Sequence, residues 1–230
     1  MAQTVGPTED LPEAIGRLAS DTTEMGIVVC DAFRYSCAGL FVPEPESARF
    51  AIESAGWAVT ARAVLDRRVR DVIQRYVPIG DDMRRIAELR QAVSEYSRIA
   101  DLSGHIADWS LVLAGQGDEL LQRYAPDAPD ILGMLISLVY QQMRGAFLVT
   151  AARNLEQAQV LVQRDEEVQE FSAALLVRLQ YAIKQEPFAA LPLQRLVMIA
   201  TNIREVNASV VAICKGVLPA SAVLSPPPVY

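Results

Sequence analysis

The stretch IAELRQAVSEYSRIADLSGHIADW (Ile86–Trp109) decides the fold. Within it Ile86, Leu89, Val93, Tyr96, Ile99, Leu102, Ile106 and Trp109 recur every three or four residues. That spacing winds an apolar stripe along one side of a helix for several turns, as in a helix that faces a core. The same stretch holds the chain's only histidine. Asp101, His105 and Asp108 are spaced four and three residues apart, so they share one helix face. Two carboxylates and one imidazole in that array read either as a weak divalent-metal site or as a solvated polar face.

Outward from this stretch the helical pattern continues almost everywhere. No Asn-Gly or Asp-Gly turn and no sustained apolar/polar alternation marks a strand. Breakers divide the pattern into six helices: about 11–40, 46–76, from 81 to the GQG at 115–117, 129–152, from Asn154 to before Pro187, and 191–217. Pro43 and Pro45 end the first, Pro78 the second, and Asn154 is a candidate N-cap. Between the third and fourth, DELLQRYAPDAPD reads as a short helical turn and a proline-punctuated linker. Sliding the last helix onto the third brings Ala200 onto Val93, Ile203 onto Tyr96, Val206 onto Ile99 and Ile213 onto Ile106. The expectation is therefore all-α: two tandem antiparallel three-helix bundles arisen by internal duplication, over 11–116 and 128–218, with a flexible Pro-rich tail over 219–230.

Bulk composition narrows the function. The chain has 230 residues, 51% hydrophobic, and a formal charge of −7. So acidic a chain is a poor match for nucleic acid or an anionic membrane surface, both of which recruit basic patches. The most apolar run, Ile131–Tyr140, stops at Gln141, Gln142 and Arg144, short of a membrane span. An acidic N-terminus with no basic-then-apolar leader, and three cysteines (Cys30, Cys37, Cys214) without a C-x-x-C spacing, fit reduced core thiols in a cytoplasmic protein. There is no Gly-rich phosphate loop, Rossmann fingerprint, nucleophile elbow or paired Glu-x-x-His, which argues against an enzyme. Trp57, Trp109 and most methionines read as packing residues, and Asp66 as an i,i+4 partner of Arg70.

Several motifs carry a family resemblance. RYVPIGDDMRRI followed by EYSRIADLSGHIAD resembles the signature of the PhoU proteins, regulators of phosphate uptake built from two tandem three-helix bundles. Pro78, Asp82 and Arg84 match the segment that opens the family's third helix. Arg98, Ile99 and Asp101 match its next element, with Ser97 and Ala100 replacing a glutamate and a glycine. Ile106, Ala107 and Asp108 stand where Ile-Ala-Glu is usual, NLEQAQVLVQRDEEVQEF (154–171) is similar to the charged elbow of the family's second helix, and ATNIREV (200–206) to its last-helix motif. The resemblance spans about residues 11–218.

The resemblance implies a non-enzymatic negative regulator of phosphate homeostasis. It acts through a phosphate ABC transporter ATPase and a sensor histidine kinase, as a homodimer, with neither nucleic-acid binding nor membrane insertion. It makes Asp82, Arg84 and Arg98 partner-docking positions. It also implies metal held by paired carboxylates one turn apart, but Arg204 and Ala208 occupy those places in the second half. A guanidinium repels a cation and alanine supplies no ligand. Only Asp101, with His105 and Asp108, remains as a weak divalent-metal candidate, in the first bundle alone. The alternative is a helical-bundle adaptor that keeps this fold without metal binding or phosphate control.

Overall fold

The computed structural model describes residues 10–42, 45–113 and 116–219. The elements are α1 (Leu11–Ala38), α2 (Pro45–Tyr76), α3 (Gly80–Leu113), α4 (Gly117–Tyr124), α5 (Ala128–Ala152), α6 (Leu155–Gln163), α7 (Asp165–Gln185), a 3-10 turn (Pro187–Ala189) and α8 (Ala190–Val217). No strand occurs among the described residues. Most of the Pro-rich tail, residues 220–230, lies outside them.

Local chemistry sets several helix ends. The Asp10 carboxylate accepts the Glu13 amide at 2.9 Å and opens α1. The Asn154 side chain accepts the Gln157 amide at 2.9 Å and opens α6. Each satisfies a donor that an N-terminal turn leaves without a partner. The α2–α3 connection turns through Val77 and Gly80, both at positive φ (46° and 59°). Glycine adopts that conformation freely, whereas a β-branched valine is strained there. The helix expected over 154–186 is in fact two, because the ladder breaks at Arg164 between α6 and α7.

In the first half α1, α2 and α3 pack together; in the second, α5, α6, α7 and α8 do. The halves join where α1 meets α5 and α3 meets α8. Arg98 reaches Glu205 at 2.6 Å, and Gln91, seven residues earlier, donates to the Ala212 carbonyl, seven residues later, at 2.9 Å. α3 and α8 therefore run antiparallel. Arg98 and Glu205 are 107 residues apart, the same offset that superposes the two apolar stripes. At that offset Ile86/Leu193, Leu89/Leu196, Tyr96/Ile203, Ile99/Val206 and Ile106/Ile213 are buried in both copies. The ion pair thus joins equivalent positions and sits on the pseudo-two-fold axis.

The principal core runs continuously through both halves, from Phe33, Tyr96 and Ile99 to Val139, Met143 and Ile203. Tyr96 is fully buried against Gly26, where an added Cβ would stand 2.7 Å from the ring's Cζ. The Thr150 hydroxyl donates to the Ala146 carbonyl at 2.9 Å, so the Tyr96 hydroxyl is the donor in its 3.0 Å bond to Thr150 Oγ1. That bond ties α3 to α5.

Three packing expectations need correction. Trp57 is 41% exposed on α2, whereas Trp109 packs against the core. Met25 and Met143 are buried, but Met83, Met134 and Met198 are exposed. Asp66 pairs with Arg62 at 3.9 Å and with Arg90 of α3 at 3.3 Å rather than with Arg70. The apolar run at 131–140 is short, but α5 as a whole and Pro187–Val217 are both long and apolar enough to cross a membrane by length and composition. Burial of Leu193, Ile203 and Val210 takes up much of that apolarity on α8, whereas α5 buries Leu135, Val139 and Ala146 but leaves Met134 and Leu148 exposed. All three cysteines are buried and unpaired, and burial pushes each thiol up to about 12.

Candidate functional site

α3 supplies all the candidate docking and metal residues, from Asp82 to Asp108. Asp82 is exposed in its first turn, where an acid suits the positive end of the helix dipole. Arg84 is exposed, with its Nε 3.2 Å from Glu88 Oε1. Arg98 is 52% exposed at its side chain, and its guanidinium is committed to Glu205. A partner that engages Arg98 must compete with that carboxylate.

Asp101, His105 and Asp108 lie exposed along α3, opposite the buried Ile99 and Ile106. Among the described residues, no three His, Cys, Asp or Glu side chains gather in a way that could hold a metal ion. In the second half Arg204 is 3.8 Å from Glu205, and Ala208 offers no donor. Neither of these two positions supplies a ligand for a cation.

A polar knot that sequence reasoning missed forms where the start of α3 meets the end of α5. Arg153 caps α5 in the left-handed conformation (φ 52°) and donates to Asp81 Oδ2 at 2.7 Å and Glu88 Oε1 at 2.8 Å. The hydrogen bond to Arg153 draws the Asp81 carboxyl below its ordinary pKa. Arg85 donates to the Thr150 carbonyl, and at 3.4 Å to the Ala151 carbonyl. A cation is thereby set at the negative end of α5. Burial lowers the Arg85 pKa, and Glu88 opposes that shift.

Glu88, 3% exposed at its side chain, sits among the guanidiniums of Arg84, Arg85 and Arg153. Its Oε2 faces Arg85 Nη1 at 3.6 Å without a hydrogen bond. Asp81, Asp82 and Arg84 stand exposed at the mouth of this knot, so one charged surface spans both halves of the molecule. The sequence signal was slight: two adjacent arginines, 84 and 85, and an arginine directly before the Asn154 cap.

The arrangement of helices can be compared with known structures. A crystal structure of PhoU from Pseudomonas aeruginosa superposes with a TM-score of 0.83, covering 90% of this chain and 97% of that one at 17% identity. The fold is that of PhoU. The phosphate transport system regulatory protein PhoU from Streptococcus pneumoniae superposes with a TM-score of 0.77, covering 90% and 95% at 15% identity. No protein-family model matches the sequence, and no curated protein matches it either. The chain thus has a PhoU-like all-α architecture at low sequence identity.

Proposed function

We propose that this protein is a divergent PhoU, a non-enzymatic regulator of phosphate uptake and phosphate-responsive signalling in the cytoplasm. One observation carries the reading: the P. aeruginosa PhoU structure superposes over 97% of its length, so the likeness takes in both bundles. The regulator works by contact. In this reading Asp82 and Arg84, exposed beside the α3–α5 knot, meet the ATPase of a phosphate ABC transporter or a sensor histidine kinase.

Crosslinking and pull-down from the native cells in high and low phosphate tests the proposal. Capture of the transporter ATPase or the kinase in high phosphate, lost with Arg84→Glu, is the expected result. No such capture under either condition sinks it. Arg84→Glu is a cleaner variant than Arg98→Glu, which also breaks the ion pair to Glu205.

A second reading, an adaptor that keeps the fold without phosphate control, is favoured by Arg204 and Ala208 standing in place of paired carboxylates. Phosphate-independent capture of unrelated partners would select it. Weak divalent-ion binding at Asp101, His105 and Asp108, in the first bundle only, is proposed as part of the regulator reading and not of the adaptor reading.

A further inference from the structure

A groove of about 310 Å³ lies between α1 and α5, across the joint of the two halves. The buried Phe33 and Cys37 line it, with Phe41, Ile136 and Tyr140 beside them. From Phe33 to Phe41 the lining extends for about 12 Å at 1.5 Å per residue. Gly133 opens the α5 wall. It stands inside α5, where glycine weakens a helix relative to alanine, yet a Cβ added there meets no atom within 4 Å. Internal packing does not require a glycine at 133, and the open space in front of it belongs to the groove.

The lining selects the ligand. Among the described residues, Arg34 is the only charged side chain in it. Arg34 Nη2 is 3.5 Å from Asp31 Oδ1, and the guanidinium lies over the Tyr35 ring, 4.2 Å from its centroid. That pair is long, with side chains 47% and 45% exposed, so it holds weakly, and the fork keeps further N–H donors for a second carboxylate. No carboxylate lines the groove, so a divalent cation finds no ligands there. Ser137 and Tyr140 supply the only hydroxyls, too few to pair the base and ribose of a nucleotide. An apolar trough with one guanidinium fits a hydrocarbon chain that ends in a carboxylate. The volume lies at the low end for small-molecule sites.

We propose that this groove binds a medium-chain carboxylate, a straight chain of about eight to ten carbons by length. Its chain lies along Phe33, Cys37, Phe41 and Ile136, and its carboxylate accepts from Arg34. The inference goes beyond the regulator reading and does not rest on it, because it is tested on the isolated protein.

The test is isothermal titration calorimetry of the full chain with octanoate, butyrate, octanol and octylamine. Octanoate is expected to bind saturably with a Kd below about 1 mM, and butyrate at least about tenfold more weakly, because it leaves much of the trough empty. Octanol and octylamine are expected to bind at least about fivefold more weakly than octanoate. Gly133→Leu puts a side chain into the open space and is expected to weaken octanoate about tenfold or more. Its Tm is expected to stay the same or rise, an outcome that loss of folding does not produce. Arg34→Gln is expected to weaken octanoate about fivefold and to leave octanol unchanged. The proposal is overturned if octanoate fails to bind up to about 5 mM, if octanol or octylamine binds as tightly, or if octanoate affinity survives Gly133→Leu. It is equally overturned if no amphiphile binds and Gly133→Leu instead releases a protein captured by the unaltered chain, which would make the groove a docking surface.

Discussion

α3 and α8 share one apolar pattern and differ in almost everything outside it. The buried positions correspond from Ile86/Leu193 to Ile106/Ile213, and stay apolar in both copies. The polar faces do not correspond. Asp101, His105 and Asp108 on α3 fall at Ala208, Ala212 and Lys215 on α8, and the buried Glu88 falls at Arg195. Packing holds a position to size and apolarity, whereas solvent tolerates almost any polar exchange. The same asymmetry appears in the joints to α5: α3 carries Tyr96 and the arginine knot, and α8 carries Ile203 and, among the described residues, no counterpart of that knot.

Paired substitutions at equivalent positions put that comparison under load. Tyr96→Ala empties a fully buried site and cuts the bond to Thr150, so it is expected to cost about 3–5 kcal/mol in chemical denaturation. Ile203→Ala is expected to cost less, about 2–4 kcal/mol; equal losses would mean that the two copies bear the core alike. Glu88→Ala leaves guanidiniums crowded without their shared carboxylate and is expected to cost about 3 kcal/mol. Arg195→Ala, its counterpart, is expected to cost about 1 kcal/mol or less.

Alkaline titration reaches both halves through Cys30, Cys37 and Cys214. Burial raises these thiols from 9.0 to about 12, so the stability they confer is complete below pH 9.0 and lost as pH climbs towards 12. Each thiol contributes a slope of at most about 1.4 kcal/mol per pH unit in that window. Replacing any one with alanine should flatten the decline, and an unchanged profile would show that the thiols do not cause it.

The ion pair on the axis should matter much less. A double-mutant cycle on Arg98 and Glu205, both partly exposed, is expected to give a coupling of about 0.2–1 kcal/mol that fades with salt. Smallest of all, millimolar Mn2+ is expected to raise Tm by no more than about 2 °C, with Asp101→Asn abolishing the shift. A much larger rise would reveal a true metal centre on α3 and make the two copies functionally as well as chemically distinct.

What could be read from the sequence was whatever depends on neighbours along the chain. The α3 and α8 stripes, the Asn154 cap and the breaks around Pro45 and Pro78 are all set within a few residues; Pro43 lies outside the described residues. The surface was harder to read. The inner face of α2 is Ser47, Ala48, Ala51, Ser54 and Ala58, small because neighbouring helices approach closely, so the large Phe50 and Trp57 fall outside. Hydrophobicity alone points to the wrong face there. The break at Arg164 carries no proline or glycine signal. Arg153 meets Glu88 across 65 residues, and Arg98 meets Glu205 across 107, distances over which no local pattern reaches.

The position of that last pair bears on symmetry. Two identical copies of one half, associating about a true two-fold axis, would bring each residue at this position against its own twin. Arginine would meet arginine, or glutamate would meet glutamate, and like charges would push the seam apart. An attractive couple of opposite charges needs two positions that are encoded separately, as they are in a single chain. Arg98 and Glu205 therefore favour this one asymmetric seam over any symmetric pairing of like halves.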